Sequence, residues 1–169
     1  MGGGALKASF PPVADVRTRV LVLGSLPGEI SLARAQYYAN PQNQFWRLIG
    51  AVLEQDLVGL GYEARLERLL EAGVGLWDVI ASAERAGSLD GAIRAHRPNA
   101  LPELAALLPE LRGIGFNGGT SARIGRRALG EAAWALIDLP SSSPAFTRSF
   151  EEKLKDWMKL KPLLSRNPA

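Results

Sequence analysis

The chain has 169 residues, of which 47% are hydrophobic and 22% charged, enough for one compact domain with a sizeable core and too apolar for a disordered tail. It contains no cysteine and one histidine, which excludes a disulfide scaffold, an iron–sulfur cluster, a thiol nucleophile and zinc-finger arrangements, and leaves little for a multi-histidine metal site. Twenty basic against seventeen acidic residues give a net charge of +3, a mild excess that permits a nucleic-acid partner without demanding one.

The N-terminal glycine-rich stretch lacks the apolar core of a signal peptide, and no apolar run approaches the ~20 residues of a membrane span. A single domain over residues 1–169 and a cytoplasmic location are the default expectations, with residues 1–10 and 165–169 as flexible ends. Residues 19–24 form a β-branched-rich apolar run closed by glycine, the pattern of a buried strand. Residues 43–54 place Phe45, Trp46, Ile49, Val52 and Leu53 at helical spacing, and residues 62–72 do the same with Leu66, Leu69 and Leu70 before Gly73. A second strand is expected over 74–80, a helix over 101–111, and a strand over 113–116. A basic helix then carries Arg123, Arg126 and Arg127, either a solvated face or a phosphate contact. Another apolar run, 133–139, is broken by Pro140-Ser-Ser-Ser-Pro144, and an amphipathic helix spans 150–160. Strands alternating with helices predict an α/β fold around a mostly parallel sheet, whose ligands bind in loops at the carboxyl ends of strands.

Three such loops carry candidate chemistry. The first, 24–44, packs amides and the adjacent Tyr37 and Tyr38 after a buried strand. The tyrosines fit either core packing or a stacking platform for a planar ligand. Phe45 and Trp46 read as core, and Asn43 either caps the next helix or serves the site. The second loop contains a literal Gly113-x-Gly-x-x-Gly118, but its glycines fall within the strand rather than opening the helix, so the dinucleotide reading is weak. Asn117 either makes a tight turn beside two glycines or turns its amide into the cleft. In the third loop two prolines bracket three serines, a stiff turn able to press into a nucleic-acid groove. Residues 147–169 have six basic and three acidic residues, so positive charge gathers at that end. A serine hydrolase on Ser141, Ser142 or Ser143 would need His96 as base, and nothing in the sequence brings them together.

Together the segments Gly24-Ser-Leu-Pro-Gly28, Gln36-Tyr-Tyr-Ala-Asn-Pro-Gln-Asn-Gln-Phe-Trp46, Gly87-Ser-Leu-Asp90, Phe116-Asn-Gly-Gly119 and Leu139-Pro-Ser-Ser-Ser-Pro-Ala145 resemble the uracil-DNA glycosylase superfamily, and within it the hypoxanthine-DNA glycosylase branch. The resemblance implies a three-layer α/β/α fold with a central, mostly parallel four-stranded sheet. It implies a monofunctional glycosylase of base-excision repair, acting on hypoxanthine first, with uracil or xanthine open, in double- or single-stranded DNA. No cofactor or metal, no membrane partner and a monomer are the matching expectations. Most members place a catalytic Asn or Asp where this chain has Leu26; the hypoxanthine branch shares that loss and relies on the asparagine here at Asn43. Tyr38 matches the aromatic that stacks on the flipped base and Asn117 the asparagine that reads its edge, with Gly24, Ser25, Leu26 and Phe45 completing the base-binding set. Ser141, Ser142, Ser143 and Pro144 match the loop that fills the gap in the duplex. Leu139 stands where other branches have His or Asn, and Asn40 where histidine is usual. An amide cannot act as a general base near neutral pH, so Asn43 is expected to orient water through its carbonyl oxygen. No lysine sits in the three loops, so no strand-cutting Schiff-base step is expected. The alternative reading is a catalytically inactive lesion-binding module of the same fold.

Overall fold

The structure is a computed structural model and describes residues 6–166. Four parallel strands, β2 (Val20–Gly24), β3 (Val74–Asp78), β6 (Gly113–Asn117) and β7 (Ala135–Leu139), form the central sheet in the order β3-β2-β6-β7. The run at 19–24 alternates between the sheet's two faces. Val20 and Val22 pack with Phe45, Trp46, Ile49, Trp157 and Leu160 on one face. Leu21 and Leu23 pack with Ile114, Phe116, Leu101 and Ile124 on the other. Burial on both faces explains why the strand reads as continuous apolar sequence instead of alternating.

The first face is covered by α2 (Phe45–Leu53), α3 (Tyr62–Ala72), α6 (Phe150–Trp157) and a 3-10 turn over Met158–Leu164. The second carries α4 (Leu101–Ala106) and α5 (Gly119–Leu129). This is the expected three-layer α/β/α arrangement. A short helix α1 (Glu29–Arg34) lies in the loop after β2.

A second sheet is absent from the sequence expectations. β1 (Leu6–Ala8), β4 (Ile80–Glu84) and β5 (Arg94–Pro98) pair antiparallel in the order β1-β4-β5. The single strand expected over 74–80 is therefore two strands in different sheets, separated at Val79. β5 is exposed at all five positions, so backbone pairing forms it without the apolar period that would announce it. Residues 6–10 are correspondingly not a loose end: Lys7 is buried and pairs with Ala83, and the Phe10 carbonyl accepts the Trp77 indole N–H at 3.0 Å. At the other terminus the Ser165 carbonyl accepts from Arg112, while residues 1–5 and 167–169 lie outside the described residues. The expected helix over 101–111 stops at Ala106, and that over 150–160 becomes a 3-10 turn after Trp157, where Pro162 removes a donor.

The Gly-x-Gly-x-x-Gly run has a packing explanation. A Cβ on Gly113 would fall 2.6 Å from Leu163, and one on Gly115 would fall 2.8 Å from Leu139 and 3.3 Å from Leu160. These glycines bring the 3-10 turn onto the sheet. On the opposite face Gly125 lets α5 meet the Phe116 ring, since a Cβ there would lie 2.3 Å from its Cε1. Overpacking of this kind exceeds the helix-propensity gain of alanine, so Gly125→Ala is expected to lose about 1–2 kcal/mol, read as a lower denaturant midpoint at constant slope.

Candidate active site

Because the sheet is parallel, β2, β3, β6 and β7 all end on one edge, at Gly24, Asp78, Asn117 and Leu139. The chain turns back between β2 and β6, the crevice position where open α/β sheets bind ligands. A cavity of about 400 Å³ opens there, walled by the loop after β2, residues 88–90 and residues 141–146.

Asn117 is the hub of one wall. It is 7% exposed. Its Oδ1 accepts the Ser142 N–H at 2.9 Å, while Nδ2 donates to Ser142 Oγ at 2.9 Å and Tyr38 Oη at 3.3 Å. The serine loop is pinned from three further directions. The Gln44 N–H donates to the Ser142 carbonyl at 2.9 Å. Trp157 Nε1 donates to the Pro140 carbonyl at 3.0 Å, and the buried Lys153 Nζ to the Ser143 carbonyl at 3.3 Å. Burial, then the nearby Arg148 charge, lowers the Lys153 pKa.

The tyrosine pair divides its work. Tyr37 lines the cavity too but is 4% exposed and donates to the Pro11 carbonyl at 3.0 Å, which ties its ring into the core. Tyr38 lines the cavity and stacks on Phe45 with centroids 4.0 Å apart and planes 19° from parallel. Its φ of +53° is left-handed, and the Trp46 indole N–H holds that backbone by donating to the Tyr38 carbonyl at 3.2 Å. Asn43 lies just before Gln44, the N-cap of α2; its Oδ1 accepts the Phe45 N–H at 2.9 Å in a local turn that fixes the side chain at the cavity wall. Asn40 makes a local turn, accepting the Gln42 N–H at 3.0 Å.

The floor is acidic. Asp78 is 3% exposed and faces Gly24 across the sheet register. Burial, reinforced by the Asp90 charge and opposed by Arg85, pushes its pKa up to about 7. Asp90 is raised too, chiefly by burial, although Ser25 Oγ donates to its Oδ1 at 2.6 Å. Arg85, 1% exposed, ties the two loops together by donating to the Gly87, Leu26 and Pro27 carbonyls.

A family model described as the uracil DNA glycosylase superfamily matches residues 11–164. The chain belongs to that superfamily. It is 39% identical over 153 residues to a protein of Methanosarcina barkeri (strain Fusaro / DSM 804) named hypoxanthine DNA glycosylase, covering 89% of this chain and 95% of that one. A protein of the same name from Methanosarcina acetivorans is 38% identical over 152 residues, covering 90% and 96%. A solution NMR structure from Methanosarcina acetivorans, described as a candidate uracil DNA glycosylase, superposes with a TM-score of 0.83 at 36% identity, covering 95% of this chain and all of that one.

On this glycosylase framework, Gly24, Ser25, Leu26, Tyr38, Asn43, Asn117, Ser141, Ser142, Ser143 and Pro144 all line one cavity. Phe45 does not: it is fully buried and stacks against Tyr38 from the core side. Asn117 reaches the wall, but its amide is spent on Ser142 and Tyr38. The positive charge expected at the C-terminal end is largely used internally, with Arg148 and Lys159 near Asp156, Lys161 on Glu54, and Lys153 buried. Arg126 likewise pairs with Asp138 at 2.9 Å. Asp78, Ser88 and Asp90 were missed as cavity residues. An ionisable residue closing an apolar parallel strand, as Asp78 closes β3, was the available signal.

Two outcomes follow from this geometry. Asn117→Ala strands the Ser142 N–H and is expected to cost about 1–3 kcal/mol, with faster amide exchange across 140–146. For Asp78, the folded-state pKa of about 7 lies above its ordinary 3.8, so its contribution to stability is fully present below the lower value and is lost as pH rises through the upper one. Asp78→Asn is therefore expected to unfold at higher denaturant than the wild type at about pH 8, with the difference shrinking as pH falls toward 4.

Proposed function

We propose that this protein is a monofunctional DNA glycosylase that hydrolyses the N-glycosidic bond of deaminated bases, hypoxanthine foremost. The observation that carries the reading is the joint placement of Tyr38, Asn43 and the serine loop around one cavity at the parallel strand ends, in a chain whose relatives are named hypoxanthine DNA glycosylases.

The target base is hidden within the duplex stack, so it must be extruded at a cost of a few kcal/mol, least for a mispaired lesion. In the cavity the base lies on the free face of Tyr38 and extends the Phe45–Tyr38 stack, a contact worth about 1–3 kcal/mol. The loop Ser141-Ser142-Ser143-Pro144 occupies the gap left in the duplex. Its anchors on Asn117, Gln44, Trp157 and Lys153 keep it rigid. Phe146, 39% exposed at the cavity rim, adds an apolar face to that loop.

Asn43 acts by orientation. The Phe45 N–H occupies one lone pair of its Oδ1, and the second remains to hold a water in line with the anomeric carbon. Leaving-base departure generates an oxocarbenium-like sugar, which that water traps. Leu26 contributes only an apolar wall. With no lysine in the three loops, the product is an abasic site without strand cleavage. The enzyme works as a monomer on DNA in the cytoplasm. No helix among the described residues is long and apolar enough to cross a membrane.

Single-turnover base release from oligonucleotides carrying one hypoxanthine, uracil or xanthine tests the reading. Hypoxanthine is expected to be released fastest, and Asn43→Ala to slow release by about 100-fold without loss of DNA binding. Full activity of Asn43→Ala overturns the assignment of that residue. Tight lesion binding with no release of any base favours an inactive recognition module. Activity is expected to survive chelators, and borohydride is expected to trap no enzyme–DNA adduct.

A further inference from the structure

Among the described residues, seven large apolar side chains are exposed, and three of them, Ile30, Leu89 and Phe146, line the cavity. Scattered exposed apolar residues are ordinary on a protein surface, but several around one opening mark a contact. Leu89 is the most open of the three, at 63% against 39% for each of the others. The loop that carries it is firmly held. Gly87 takes a φ of +72°, and its carbonyl accepts from Lys7 Nζ at 2.6 Å and from Arg85 Nε at 2.7 Å. Ser88 Oγ accepts the Glu29 N–H at 2.8 Å. Beyond Leu89, Ser25 Oγ donates to Asp90 Oδ1 at 2.6 Å, and the Leu89 carbonyl accepts the Ala92 N–H at 3.0 Å.

Residues on both sides of Leu89 are thus tied down while its own side chain stands largely in solvent. A leucine fixed in water contributes nothing to the free protein; its hydrophobic stabilisation is gained only when an apolar surface covers it. The chain reaches residues 88–90 through β4, which follows β3 at one edge of the central sheet, and residues 141–146 from β7 at the other edge. Leu89 and the serine loop therefore stand on two sides of the opening. Arg94 and Arg97 on the adjoining β5 are exposed, and neither forms an ion pair with another described residue. Arg94 is steadied by the Gly91 and Ile93 carbonyls, which leave its charge in place. A rigid apolar tip beside unpaired guanidinium groups matches a base step beside its phosphates.

We propose that Leu89 is a second wedge into the duplex: it enters the base stack from the side opposite the serine loop and packs on a base step beside the lesion. The inference rests on the glycosylase reading above and adds to it an element that acts on double-stranded DNA. In a duplex, extruding a base exposes the faces of its neighbours and leaves a gap that favours the base's return. A leucine in the opening covers those faces and opposes the return. In a single strand no pairing has to be held apart, so the same side chain contributes little.

The test compares single-turnover release of hypoxanthine from one oligonucleotide, as a duplex and as a single strand, by the wild type, Leu89→Ala and Leu89→Met. Leu89 is exposed, so neither variant is expected to disturb folding. Leu89→Ala is expected to lower the ratio of double-strand to single-strand rate by about tenfold or more, and Leu89→Met, which restores apolar reach, to bring it back within about threefold. A fluorescent adenine analogue beside the lesion brightens when its stack is broken. In the duplex the wild type is expected to brighten it on binding, and Leu89→Ala to do so less. An equal loss of rate on both substrates, or no loss on either, overturns the wedge and leaves the glycosylase reading intact. Unchanged brightening with Leu89→Ala does the same. A wild type that releases no base from either substrate overturns the glycosylase reading, and the brightening, which needs binding alone, then decides the wedge by itself.

Discussion

The site depends on the pairing of one asparagine with one serine. Asn117 ends a buried strand, and Ser142 lies three residues beyond the end of its neighbour. The two exchange a backbone and a side-chain hydrogen bond, each 2.9 Å long. That exchange fixes the proline-bracketed loop against the sheet edge, and the same amide reaches Tyr38 Oη across the cavity. A single side chain thus joins the wall that would enter the duplex to the aromatic that would receive the base. Low solvent access makes such a network strong when complete and costly when one member is lost.

The second determinant is the way α2 couples core to cavity. Asn43 accepts the N–H of Phe45, Phe45 opens the helix inside the core, and Trp46 bonds back to the carbonyl of the left-handed Tyr38. Core packing therefore sets the height and tilt of the stacking ring. The same helix start presents the Asn43 carboxamide at a fixed angle, since its oxygen is already held by the Phe45 N–H. The water-orienting role proposed for Asn43 requires such fixity, because an asparagine that cannot remove a proton contributes only through position.

Charge is arranged in the opposite sense to a simple DNA-binding surface. The cavity floor holds two carboxyls with raised pKa, a buried arginine lies behind them, and several C-terminal cations sit in local pairs. Negative charge near the phosphate backbone would oppose docking if both carboxyls were ionised. Burial moderates that repulsion by favouring their neutral forms. The clamp of Arg85 on the Gly87, Leu26 and Pro27 carbonyls is what brings the loop bearing Asp90 against the loop bearing Ser25.

Local chemistry made much of this legible in the amino-acid order. The buried strand at 20–24, the helices at 45–53 and 62–72 and the stiff serine loop follow from apolar period, capping and proline placement, which are properties of neighbours in sequence. The grouping of Tyr38, Asn43 and Ser142 was implied instead by the resemblance of their motifs to those of the superfamily, in loops expected at parallel strand ends. The small antiparallel sheet was not legible, because β5 buries no side chain and its order comes from backbone pairing with β4. The separate fates of Tyr37 and Tyr38 were equally hidden: adjacent identical residues differ only by what tertiary packing sets against each. Phe45 turned from a contact into a support, and Asn117 from a free amide into an anchor, for the same reason. Asp78 and Gly24 lie far apart in the chain, and only the parallel register of β2 and β3 sets the carboxyl beside a glycine, where a Cβ would collide with it.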